Sequence, residues 1–111
     1  MSHTKLPLEW DLWVGDIGSE MQMEIGGVVN LDPGATVVGK AWRKGVAMDP
    51  VDLPGEVLEV LDEGAVLGFD TDVWLGSAAP GDWLVNAVVE GTTFPEGPPG
   101  KATVRRRSAA P

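Results

Sequence analysis

The chain has 111 residues, 43% of them apolar, no cysteine and a net charge of −9. That length fits one domain, and the apolar share is too high for a disordered chain. Without cysteine there are no disulfides or thiolate metal sites, and no apolar run approaches the ~20 residues that cross a bilayer.

The opening MSHTKLPLEWDLW lacks the apolar core and cleavage site of a secretory signal. The expectation is a soluble protein made in the cytoplasm. Charge is unevenly spread: residues 45–100 hold eleven acids and no Lys or Arg, while the rest hold six acids and eight bases. An acidic body repels phosphate backbones, so neither nucleic acid nor a membrane is the expected partner. The consecutive Arg105, Arg106 and Arg107 form a basic end that suits an acidic neighbour, another copy of the chain included.

Fifteen Gly and nine Pro cut the chain into short pieces, and between the cuts the apolar period is two, the period of strands. Residues 8–14 read as the first strand, with Leu8, Trp10 and Leu12 on one face and Trp13 on the other. Residues 20–27 follow, with Met21, Met23 and Ile25 alternating with Gln22 and Glu24. Residues 35–43 are ambiguous: Val38, Lys40 and Trp42 share one face, Val37, Gly39 and Ala41 the other. Strands at 56–61 and 64–70 flank DEG at 62–64, a tight hairpin turn. The segment TDVWLGSAAP (71–80) suits one helical turn that lays Trp74 and Leu75 over the end of the core. After the Pro80-Gly81 corner, 82–90 is a strand with Trp83, Val85, Ala87 and Val89 on one face. FPEGPPG (94–100) reads as a loop, because three prolines remove ladder donors, and 101–107 is the last strand. About seven short strands with turns between them predict an all-β fold, a single antiparallel sandwich or barrel. The domain spans 1–107, with a short tail at 108–111.

Motifs that carry chemistry are weak. GATVVGKA (34–41) matches most of a phosphate-binding loop. Yet Ala41 stands where the magnesium-binding hydroxyl belongs, and Thr36, Val37 and Val38 favour strand. Asp70, Asp72 and Asp82 lack the spacing of a calcium loop; Asp72 or Thr71 suits a turn cap. His3 is the only histidine, and Ser2, Ser19, Ser77 and Ser108 have no base beside them. The expectation is no enzyme, no cofactor and no metal site.

The order of the pieces resembles the N-terminal domain of the baseplate upper proteins of tailed bacteriophages and the small Ig-like virion proteins related to it. The likeness runs through VGDIGSEMQMEI (14–25), VVNLDPGATVVGKAWR (28–43), EVLEVLDEGAVLGFD (56–70), TDVWLGSAAPGDWLVNAV (71–88) and GKATVRRR (100–107). Asn86 stands where that family's aromatic strand usually has aspartate, and the receptor-binding extension of those proteins has no counterpart in these residues. The resemblance implies an Ig-like antiparallel β-sandwich and a non-enzymatic structural role in the virion, at the tail tip or baseplate. Its partners would be other virion proteins and copies of itself. A capsid decoration or head–tail protein would share the fold, and a carbohydrate-binding sandwich would use exposed tryptophans. The residues expected to make contacts are Trp10, Trp13, Arg105, Arg106 and Arg107; Trp42, Trp74 and Trp83 are expected in the core.

Overall fold

The computed structural model describes residues 8–15, 20–95 and 98–106. In chain order they form β1 (Glu9–Trp13), β2 (Glu20–Gly26), β3 (Val37–Arg43), β4 (Val51–Leu61), β5 (Gly64–Asp70), α1 (Asp72–Ser77), β6 (Gly81–Val89), β7 (Thr92–Phe94) and β8 (Gly100–Arg105). The fold is all-β, as the period of two implies, with eight strands rather than seven.

The strands hydrogen-bond along one path, β1-β8-β6-β3-β4-β5-β2, that bends into a nearly closed barrel. Every pairing is antiparallel except β1 with β8, which run parallel. β8 pairs with the first half of β6 and β7 with its second half, so both lie on the same side of that strand. The turn between β6 and β7 is Glu90–Gly91, both at positive φ. Glu90 is held there by Thr36, whose N–H donates to Oε1 at 3.2 Å and whose carbonyl accepts the Glu90 N–H at 3.1 Å.

Alternation decides what is buried. The inward face carries Met21, Met23 and Ile25 of β2, Leu67 and Phe69 of β5, Val85 and Val89 of β6, and Val104 of β8. Each such side chain contributes roughly 1.5–3 kcal/mol when fully buried. Helix α1 closes one end of the barrel with Trp74 and Leu75, as its sequence implies. Trp74 meets Trp83 edge to face, ring centroids 5.4 Å apart, a geometry that suits the ring quadrupoles. Leu75 N–H donates to Thr71 O, and the Asp72 N–H is capped by the Asp70 carboxylate at 2.9 Å. The cap therefore comes from Asp70, one residue before the expected pair.

Two expectations are corrected. Trp42 is not in the core: in β3 it is Val37, Gly39 and Ala41 that are buried, and Trp42 lies on the outer face with Val38 and Lys40. The strand expected at 56–61 begins at Val51, because Pro54 and Gly55 lie inside β4 rather than before it. Leu58 and Val60 stay 38% and 39% exposed, since a bulge between Val57 and Glu59 shifts the register there.

β4 changes partner along its length. Residues Val51–Gly55 pair with β3, and Gly55–Leu61 pair with β5. Where the three strands meet, the Phe69 ring lies against backbone: a Cβ at Gly39 would sit 2.9 Å from it, and one at Gly55 2.8 Å. Only glycine admits the ring at either position. Gly39→Ala is therefore expected to lower the unfolding free energy by about 1–3 kcal/mol through overpacking, and Phe69→Ala by about 3–5 kcal/mol. In the double variant the two losses should not add, because removing the ring removes the clash; urea unfolding of the three variants reads the coupling.

A candidate docking face on the first and last strands

β1 and β8 bring both ends of the described chain together. Their register runs from Glu9↔Lys101 to Trp13↔Arg105. Backbone bonds continue past both ends, from Lys101 N–H to Leu8 O and from Val14 N–H to Arg105 O, each 2.8 Å. The alternation of EWDLW sends Trp10 and Leu12 inward and Glu9, Asp11 and Trp13 outward.

The two N-terminal tryptophans thus have different work. Trp10 is half-buried and serves the fold. Its indole N–H donates to Gln22 O of β2 at 2.8 Å, and its ring covers Gly100, where a Cβ would come within 2.6 Å of it. β1 and β2 are the two ends of the sheet path, so this bond spans the seam of the barrel. Trp13 is 38% exposed, on the outer face opposite Arg105.

Around Trp13 the outer face is of mixed charge: Glu9 and Asp11 on β1, Lys101 and Arg105 on β8. Arg105 Nη2 reaches Asp11 Oδ1 at 3.4 Å, with the side chains 53% and 70% exposed. A solvated pair of that kind is worth between 0 and about 1 kcal/mol, so the guanidinium can exchange its partner at little cost. Arg106 is exposed beside it. Arg107 lies outside the described residues, as do His3, Ser2, Ser19, Ser108 and the tail at 108–111.

The other motifs resolve into local structure. In GATVVGKA the last five residues are β3, so Gly39 and Lys40 sit in a strand ladder rather than in a phosphate cradle. Lys40 pairs with Asp52 of β4. Glu20, Glu56, Asp70 and Asp72 border a shallow outer recess of about 340 Å³ beside Gly55 and Gly68. Among the described residues no three His, Asp or Glu converge as a metal site would require. No described helix is long and apolar enough to cross a membrane. Of the five tryptophans, Trp74 and Trp83 are buried, Trp10 and Trp42 half-buried, and Trp13 exposed.

Comparison with known proteins adds no relative: no family model matches the chain, and no curated protein or solved structure does.

The different work of the two tryptophans is measurable. Trp10→Ala should cost about 2 kcal/mol or more, because it uncovers apolar surface and opens the seam. Trp13→Ala should stay within about 0.5 kcal/mol of the parent, as surface substitutions do. Urea unfolding of each variant checks both.

Proposed function

We propose that the chain is a non-enzymatic structural component of a tailed-phage particle, at the tail tip or baseplate, acting by docking onto neighbouring subunits. The observation that carries the docking part is the outer face of β1 and β8, where exposed Trp13 stands opposite Arg105 with Arg106 beside it. Trp and Arg are among the residues enriched at the hot spots that carry most of the binding energy of protein interfaces. The virion part rests on the order of sequence pieces from residue 14 to residue 107.

In this reading the bent sheet corresponds to an Ig-like sandwich. On it β1, β8, β6 and β3 correspond to one layer of the sandwich and β5 and β2 to the other, and β4 joins them by pairing first with β3 and then with β5. The contact is heterologous: the cationic end of one copy meets an acidic surface of the next, such as that bordered by Glu20, Glu56, Asp70 and Asp72. Heterologous contacts close into rings when the rotation per subunit allows it, and a ring is the assembly this reading expects. Opposite charge sets the register, and Trp13 supplies desolvated area.

Light scattering behind a sizing column tests the reading. A discrete multimer is expected at low salt, shrinking as the screening length falls from about 30 Å at 0.01 M to about 3 Å at 1 M salt. Trp13→Ala and the double variant Arg105→Gln/Arg106→Gln should each shift it toward monomer without changing the fold. A monomer at every concentration and salt would overturn docking between copies.

A further inference from the structure

At the end of the barrel closed by α1, a recess of about 330 Å³ opens between the helix and the ends of β3, β4 and β6. Met48, Val51, Val73, Trp74 and Trp83 give it apolar walls, and Arg43 gives it its cation. The alternation of β3 explains why an arginine is there. Val37, Gly39 and Ala41 point inward, and Arg43 is the next residue on that face, opposite buried Trp83.

A cation on the inward face of a central strand normally has a carboxylate beside it, and this chain holds seventeen acids. Among the described residues Arg43 has none. Its Nη2 donates to Pro80 O at 3.3 Å, and its buried Nε–H meets no acceptor. Trp74, 3% exposed, carries a second buried N–H without an acceptor. Its neighbour Trp83 differs, since that indole donates to Ala79 O at 2.9 Å. A buried donor left unsatisfied is costly, and such groups are few in native proteins. Two of them belong to residues that line one recess.

We infer that this recess binds a small organic acid, its carboxylate taken by the Arg43 guanidinium and its apolar body laid against Met48, Val51, Trp74 and Trp83. A guanidinium matches the plane and the two oxygens of a carboxylate. The volume is at the small end for ligand sites, enough for about one aromatic ring and its acid group. The site is independent of the docking face on β1 and β8 and does not rest on the virion reading.

The test compares phenylacetate with neutral phenylacetamide, titrated into the ¹⁵N-labelled protein while the indole N–H signals are followed. The Trp74 signal is assigned by its loss in Trp74→Phe. Phenylacetate should move that signal saturably, and phenylacetamide should bind about tenfold or more weakly, a difference of about 1.4 kcal/mol. Arg43→Gln should abolish the preference for the acid, and Arg43→Lys should retain part of it. The comparison of the two probes on the parent protein stands even if the Arg43 variants loosen the Pro80 corner. Equal binding of the acid and the amide would overturn the inference, and so would a Trp74 signal that neither probe moves.

Discussion

The contact on which this molecule depends is the Phe69 ring pressed onto the backbone of Gly39 and Gly55. It sits where β4 leaves β3 and takes up β5, so it is the point at which the sheet turns its inner face around the core. A side chain at either glycine would hold the strands away from the ring and flatten the turn. With the turn in place, the ends of the sheet path come close enough for Trp10 to donate to Gln22 O. That bond and the seat on Gly100 fix the facing of β1, and the facing of β1 leaves Trp13 outside. The surface proposed for docking is thus a consequence of packing on the opposite side of the barrel.

Much of this was legible as alternation. The hairpin around residues 62–64, the inward face of β6 and the plug formed by Trp74 and Leu75 follow from period and turn chemistry alone. The first half of β4 was hidden by Pro54 and Gly55, which read as breakers. Pro54 lies where β4 has β3 on one side and has not yet met β5 on the other, so its missing N–H is tolerated as on an edge strand. β7 was hidden because its turn uses Glu90, not the Asn or Asp that marks such turns. Thr36 supplies the stabilisation from far along the chain.

The residues of the candidate sites show the limit of reading by residue type. Trp10 and Trp13 look alike in composition, but Trp10 shares its face with Leu12, and that parity marks it as inward. Trp42 shares its face with Lys40, and that parity marks it as outward. Arg43 was legible by the same rule, as the next inward position after Ala41. Its want of a carboxylate was not, because a missing partner depends on where every acid falls in space. Elsewhere charge follows a simpler logic: acids cover the outer faces, and the bases near the end of the described chain stand beside the first strand.

The central claim is that the outer face of β1 and β8 is where this chain meets its neighbour. Hydrogen–deuterium exchange, compared between dilute protein and protein at an associating concentration, tests it most directly. The account predicts that exchange slows in Glu9–Trp13 and Gly100–Arg105, and that Trp13→Ala removes the slowing. Slowing confined to the face carrying Trp42, or none at any concentration, would contradict it.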